Sequence, residues 1–197
     1  MRIVIDMQGA QTSSRFRGIG RYVVSYVQAI VRQKGGHEVI LALSSFNPET
    51  IDPIRQAFAG LLPEENIQVW SAPAGVERLN PDSEQRYKLA AQLFEAFLAQ
   101  LRPDVIHISS LFEGFADQAV TGVGPLSQNT LVTTTLYDLI PLLNPKQYLD
   151  PNPIYAKYYQ EKLEHLKRAH YYLAISEFSR EEGLEQLGVV PERIVTV

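Results

Sequence analysis

A loop near the amino terminus combines residue types that can bind an anion. It places two glycines and three arginines around the start of a helical pattern: Gly18, Gly20, Arg15, Arg17 and Arg21. Glycine lets backbone N–H groups approach a ligand closely, and the positive end of a helix dipole favours phosphate. The spacing matches neither the dinucleotide fingerprint, because Val23 stands at the third glycine position, nor a P-loop. A phosphate ligand and a glycine turn with surface arginines both stay open.

The pair Tyr137 and Asp138 lies at the end of a strand that the β-branched run at residues 131–135 predicts. In open parallel sheets, ligands bind beyond the carboxyl ends of the strands, which is where this pair is expected. A carboxylate there can act as a base, orient a hydroxyl or cap the loop. The residues that follow, up to position 153, hold four prolines and little periodicity. Long loops of this kind are often functional.

A third candidate group surrounds the apolar run at residues 105–108. His107 lies in that run, and Ser109 and Glu113 follow it and can bind hydroxyl groups. A lone histidine in an apolar run is more often a hydrogen-bonded core residue. Its position near the expected crevice also fits a ligand role. Both interpretations are retained.

A scaffold must position these candidate residues. Short β-branched runs that alternate with helical patterns indicate which fold it is. The alternation predicts right-handed βαβ units and a Rossmann-like, doubly wound α/β domain, with a mostly parallel sheet of about seven strands flanked by helices. The expected strands are residues 3–5, 39–43, 67–70, 105–108, 131–135, 171–175 and 194–197. The expected long helices are residues 20–33, 83–100, 153–169 and 176–187. Ser176 is the expected N-cap of the last helix, and Gly188 its stop.

Composition excludes several classes of protein. The 197 residues fit one domain, and the absence of cysteine rules out disulfides, zinc–thiolate sites and cysteine nucleophiles. A net charge of −4 disfavours a nucleic-acid partner. No apolar run reaches the roughly 18 residues of a membrane span, and the first apolar run is too short for a secretory leader, so a cytoplasmic location is expected. Glu161 and His165 share a helix face without a third ligand, so no metal site is expected.

Six segments, taken in order, resemble the N-terminal half of GT-B-fold glycosyltransferases of family 4. The resemblance is greatest to mannosyltransferases that assemble bacterial polysaccharide, including the O-antigen of lipopolysaccharide. It covers nearly the whole chain, in residues 2–6, 17–22, 102–107, 137–141, 174–180 and 189–197. It implies a retaining transferase that moves a hexose, with mannose favoured, from a nucleotide sugar such as GDP-mannose to a glycan or lipid-linked glycan acceptor. No metal or other cofactor is implied.

The resemblance also implies roles for the candidate residues. Asp138 keeps the family position and is expected to contact the reacting sugars. Many relatives carry histidine where this chain has Tyr137, and a phenol with an ordinary pKa of about 10 is a poor base at neutral pH. Tyr137 is therefore expected to orient or stack on a sugar beside Asp138 in the catalytic site. The donor-phosphate loop would be Gly18, Gly20, Arg17 and Arg21, and the acceptor-binding residues His107, Ser109 and Glu113.

Residues 1–197 are expected to form the acceptor-side domain alone. The family's C-terminal domain, which binds the nucleotide sugar, would belong to the same polypeptide, and this half would be inactive without it. Peripheral contact with the inner membrane face is expected for an enzyme that uses lipid-linked acceptors. A stand-alone α/β module that binds a nucleotide or carbohydrate stays open. An NAD-dependent enzyme is disfavoured, because residues 44–47 hold no acidic residue for the ribose.

Overall fold

A computed structural model describes residues 1–124 and 130–197. Within these ranges, seven strands form one sheet in the order β3-β2-β1-β4-β5-β6-β7, and every neighbouring pair is parallel. All seven expected strands are confirmed. They are β1 Arg2–Asp6, β2 Glu38–Ser44, β3 Ile67–Trp70, β4 Val105–Ile108, β5 Leu131–Leu136, β6 Tyr171–Ala174 and β7 Ile194–Thr196.

Helices connect the strands, and the four long ones agree with the sequence to within two residues at each end. The helices are α1 Gly18–Arg32, α2 Ile51–Ala57, α3 Glu84–Gln100, α4 Ile140–Leu143, α5 Pro145–Tyr148, α6 Pro153–Lys167 and α7 Glu177–Leu187. The short helix α2 was not expected. The proline-rich stretch after β5, expected to lack periodicity, contains α4 and α5. Each has a proline in its first turn, where the missing N–H costs no intrahelical bond.

Two apolar layers cover the sheet. On one face, Val23 and Val27 of α1 pack with Ile5 and Leu41 of the strands. On the other face, α3, α6 and α7 cover a larger cluster that includes Phe94. Burial on both faces explains why the strands are nearly continuous apolar runs. In the part of the chain that the structure describes, no helix is long and apolar enough to cross a membrane.

From β1 the chain adds β2 and β3 on one side, and it then crosses back to add β4 on the other side of β1. The carboxyl ends of β1 and β4 therefore define the topological switch point of the sheet. Ligands of open α/β sheets bind at such a point. The loops after β1, β4 and β5 therefore meet at one edge, and this edge contains the residues that the sequence singled out.

Candidate functional site

Helix α1 begins at this edge with an amino terminus that none of the described side chains caps. The residue before it, Arg17, makes no side-chain cap bond, and no acidic residue lies in the first turn. The first N–H groups of a helix lack intrahelical acceptors and carry partial positive charge, so they favour an anion. Arg17 and Arg21 are exposed, and neither forms an ion pair with any described residue. This helix end is therefore suited to phosphate.

Arg15 has a different role from the other two arginines of the loop. Its Nη1 donates to the Gln11 carbonyl at 2.6 Å, and its Nη2 lies 3.0 Å from a carboxylate oxygen of Glu49. Its guanidinium also stacks on Phe16, at 4.4 Å from the ring centroid. The positive charge of Arg15 is thus already engaged in holding the loop together.

The two glycines at the start of α1 also differ from each other. A Cβ atom on Gly20 would lie 2.3 Å from the Cα of Arg15 and 2.8 Å from the carbonyl oxygen of Ser14. A Cβ atom on Gly18 would meet nothing within 4 Å. Gly20 therefore lets the first turn of α1 pack against the preceding 3-10 turn, Ser13–Phe16. Gly18 leaves open space beside the helix amino terminus.

Tyr137 and Asp138 follow β5 directly, as expected. The phenol of Tyr137 donates a hydrogen bond to the carbonyl of Ser109 at 3.0 Å, which ties this loop to the one after β4. Burial raises the pKa of Tyr137 above its ordinary value, so this phenol stays protonated and is no general base at neutral pH. Asp138 is exposed, and its Oδ1 accepts the N–H of Ile140 at 3.1 Å. Asp138 therefore caps the loop, which is one of its expected roles, while its Oδ2 has no partner among the described residues.

A contact between aromatic rings joins the two halves of the site. Tyr22, in the first turns of α1, lies edge-on to Tyr137 with ring centroids 5.8 Å apart. Tyr22 also stacks on Tyr26 at 5.5 Å. The helix end suited to phosphate and the loop with the exposed carboxylate are thus held against each other at one edge of the sheet.

His107 lies inside the domain and is only 3% exposed. Its Nδ1 lies 2.8 Å from the hydroxyl of Thr133, and its Nε2 lies 3.2 Å from that of Thr135. Burial lowers the pKa of His107 to about 4, so the ring is neutral at pH 7. Since both ring nitrogens have partners and almost no surface is accessible, this placement favours the core role over contact with an acceptor.

Ser109 and Glu113 also make internal contacts. The hydroxyl of Ser109 donates to the carbonyl of Asp6 at 2.5 Å. Glu113 is 6% exposed and accepts from Thr12 at 2.8 Å and from Ser110 at 2.9 Å. Burial raises the pKa of Glu113. Ser109 thus ties the loop after β4 to the end of β1, and Glu113 ties the same loop to the one after β1. Neither residue presents a free polar group to an acceptor sugar in this conformation.

A buried polar network below this edge escaped the sequence reasoning. Asp6 is 1% exposed, its Oδ1 accepts from the backbone and side-chain nitrogens of Gln8, and burial raises its pKa to about 7. Lys162 donates to the carbonyl and hydroxyl of Thr121 at 2.6 and 2.7 Å, and burial lowers its pKa to about 7. Asp6 ends β1 and could have been suspected by the rule that singled out Asp138. Nothing in the helical sequence pattern around Lys162 marks this residue as buried or functional.

No group of three or more potential metal ligands occurs within residues 1–124 and 130–197. Glu161, considered with His165 from the sequence, pairs instead with Arg78, whose Nη2 lies 2.7 Å from its carboxylate. Nδ1 of His165 lies 3.0 Å from the backbone nitrogen of Val123. The two side chains therefore bond to different partners, and Glu161 stays partly exposed.

The buried histidine predicts a dependence of stability on pH. Because the pKa of His107 falls from 6.5 to about 4 on folding, its contribution is complete above pH 6.5 and is lost as pH falls through 4. The free energy of unfolding of the wild-type domain should therefore fall more steeply over this range than that of His107→Gln, by up to about 3 kcal/mol. Urea denaturation at a series of pH values measures both slopes. Parallel slopes would contradict the buried neutral ring.

The sequence also matches a known protein family. The family model described as Glycosyltransferase Family 4 matches residues 16–197. An Escherichia coli protein named serotype-specific mannosyltransferase WbdA is 31% identical over 199 aligned residues, which cover 100% of this chain and 24% of that protein. A second Escherichia coli protein of the same name is 30% identical over 86% of this chain and 21% of its own length. The chain thus spans about a quarter of the length of these relatives.

Solved structures confirm the fold. A putative UDP-N-acetylglucosamine 2-epimerase from Listeria monocytogenes has a TM-score of 0.59 at 10% identity, over 98% of this chain and 44% of that one. UGT73P12 from Glycyrrhiza uralensis, complexed with glycyrrhetinic acid 3-O-monoglucuronide, has a TM-score of 0.59 at 12% identity, over 100% of this chain and 48% of its own. At identities this low, the similarity shows the fold alone. The family match covers most of the sequence, and the chain therefore belongs to glycosyltransferase family 4.

Proposed function

We propose that this chain is the N-terminal, acceptor-side domain of a retaining glycosyltransferase. The enzyme would transfer a hexose, mannose in our proposal, from a nucleotide sugar to a glycan or lipid-linked glycan acceptor. Family membership and the similarity to proteins named mannosyltransferases support this proposal. The observation that carries it is the contact between Tyr22 and Tyr137, which sets the uncapped end of α1 beside the loop of Asp138.

The amino terminus of α1 would stabilise the departing nucleoside diphosphate. Negative charge builds up on the diphosphate oxygens as the bond to the sugar breaks. Preorganised N–H groups and cationic side chains stabilise such charge without reorganisation. Gly18 leaves room for the phosphate, and Arg17 and Arg21 supply unpaired positive charge next to it. These groups would act without a metal ion, and GDP-mannose is the donor we propose.

Asp138 would receive the acceptor hydroxyl. Its side chain is exposed, and Oδ2, which has no partner among the described residues, can accept a hydrogen bond from the hydroxyl that attacks the sugar. A carboxylate in this position orients the hydroxyl and can take up its proton as the new glycosidic bond forms. Tyr137 stays protonated and bonded to the backbone, so it would support the loop and pack against the sugar.

A second domain of the same polypeptide would complete the enzyme by binding the nucleotide. The relatives extend well beyond the matched part, which is about a quarter of their length, and this leaves room for such a domain. We further propose a cytoplasmic enzyme that touches the inner membrane face to reach lipid-linked acceptors. Phe16, which is 74% exposed, offers an apolar side chain for such a contact. No nucleic-acid partner is proposed.

Removing the two unpaired arginines should weaken donor binding. In the full-length polypeptide, the double variant Arg17→Gln/Arg21→Gln should raise the Kd for GDP-mannose at least about tenfold, because each charge-assisted contact to phosphate is worth about 1.5–3 kcal/mol. Calorimetric titration measures the change. Arg32→Gln, at the opposite end of α1, is the matched control and should leave the Kd unaltered.

Unchanged affinity in the double variant would contradict the donor-phosphate loop. Titration of residues 1–197 alone addresses the alternative of a stand-alone binding module. Tight binding by this domain, in a polypeptide that transfers no sugar, would favour that alternative over a transferase.

A further inference from the structure

Helix α7 holds the backbone on both sides of Asp138. The hydroxyl of Ser179 donates to the carbonyl oxygen of Tyr137, in the peptide group before Asp138. Oε2 of Glu182 accepts the N–H of Leu139 at 2.8 Å, in the peptide group after it. Ser179 and Glu182 lie one turn apart on α7 and are buried, at 3% and 5% exposure. One face of one helix thus anchors both peptide groups.

This arrangement fixes the direction in which the Asp138 side chain leaves the backbone. A peptide group is planar, so only the dihedrals φ and ψ at a residue can move its two flanking peptide groups relative to each other. When hydrogen bonds hold both groups, φ and ψ of Asp138 are set, and so is the direction of its Cα–Cβ bond. The exposed carboxylate is therefore aimed by residues that do not touch it.

The chemistry of Glu182 supports a role beyond packing. Placing a carboxylate in an apolar interior is costly unless its oxygens are bonded. Oε1 of Glu182 is buried and has no partner among the described residues, so only one of its oxygens is used. Leu139, which receives that bond, is fully buried, and its N–H has no other acceptor in the described part of the chain. An apolar side chain at this position of α7 would fill the same space without the cost of desolvating a carboxylate.

We propose that Glu182 is a positioning residue for glycosyl transfer, which aims the carboxylate of Asp138 by holding the backbone N–H of Leu139. The proposal rests on the function proposed above. Glu182 itself contacts neither sugar nor nucleotide in this scheme. Loss of the Glu182 carboxylate should therefore lower the turnover of the bound complex more than it weakens donor binding.

Kinetics of three variants of the full-length polypeptide test this role, with GDP-mannose as donor and a mannose-terminated glycan as acceptor. Glu182→Met removes the acceptor of the Leu139 N–H and should lower kcat at least about tenfold, with the donor KM within about twofold. Glu182→Gln keeps an oxygen acceptor and should retain at least about half of kcat. Glu181→Met, on the exposed side of the same helix, should match the wild type.

Ser179→Ala provides a second route if Glu182→Met fails to fold. It frees the peptide group before Asp138 and should likewise lower kcat with little change in the donor KM. Thermal melting of each variant separates the effects: a rate loss in a protein with unchanged Tm supports positioning. A kcat that falls only in step with Tm, or that Glu182→Gln fails to rescue, overturns it.

Asp138→Asn in the same assay separates this inference from the proposed function. If Asp138→Asn is strongly impaired and Glu182→Met is fully active, the positioning role is wrong and the proposed function stands. If both variants turn over at the wild-type rate, Asp138 has no part in the reaction, and the site assignment fails together with the positioning role.

Discussion

Asp138→Asn should lower the turnover of the proposed full-length transferase by about 100-fold or more, the usual contribution of a positioned acid–base group. The substitution is nearly isosteric and removes the negative charge. The amide oxygen of asparagine can still accept the N–H of Ile140, which Oδ1 of Asp138 accepts at 3.1 Å. Because the side chain is exposed, the fold should be retained. Initial rates of transfer from labelled GDP-mannose measure the effect.

Asp150→Asn is the matched control for this prediction. Asp150 is also exposed and lies in the same proline-rich segment, but it follows α5 rather than the end of a strand. It should retain the wild-type rate. Turnover of Asp138→Asn within about twofold of the wild type would remove Asp138 from the reaction.

Gly20→Ala should destabilise the domain by about 3 kcal/mol, at the upper end of the cost of overpacking. The added Cβ atom would lie 2.3 Å from the Cα of Arg15, 2.8 Å from the carbonyl oxygen of Ser14 and 2.9 Å from the backbone nitrogen of Arg15. All three atoms belong to the backbone, so no side-chain rotation can relieve the overlap. The turn before α1 must move, and the amino terminus of α1 should lose its shape as a phosphate site. Urea denaturation of residues 1–197 measures the loss of stability.

Gly18→Ala is the control, two residues away in the same helix turn. Its Cβ atom would have no neighbour within 4 Å, and alanine favours helix over glycine by about 1 kcal/mol. Its stability should therefore equal or exceed that of the wild type. Equal stability of Gly20→Ala and Gly18→Ala would show that the close packing of α1 on the preceding turn is wrong.

The sequence was enough to predict the sheet and the long helices, because their signals are local. Seven β-branched runs buried on both faces gave all seven strands. Ser176 caps α7 by accepting the N–H of Ser179, and Gly188, at φ 64°, ends it, both as expected. Helix α2 was missed because it spans only seven residues and includes Pro53. A pattern that short has too few turns to show a helical period.

The candidate site was only partly predictable, because the roles of its residues depend on contacts between distant segments. Asp138 lies just beyond the end of β5, as the strand-end rule predicted, and the structure shows that it is exposed. The same rule cannot tell an exposed polar residue from a buried one, and it kept His107 and Glu113 as candidates for acceptor binding although both lie inside the domain. Glu182 was not singled out at all, because its partner Leu139 lies 43 residues away in the sequence.

The most direct test is the product formed from a donor isotopically labelled at its anomeric carbon. GDP-mannose labelled in this way, a mannose-terminated glycan acceptor and the full-length polypeptide should give a new mannoside whose NMR signal shows the α configuration of the donor. Residues 1–197 alone should give none. Transfer by the isolated domain at the full rate, a product of inverted configuration, or no transfer from GDP-mannose by the full-length polypeptide would contradict the proposed retaining mannosyltransferase built from two domains.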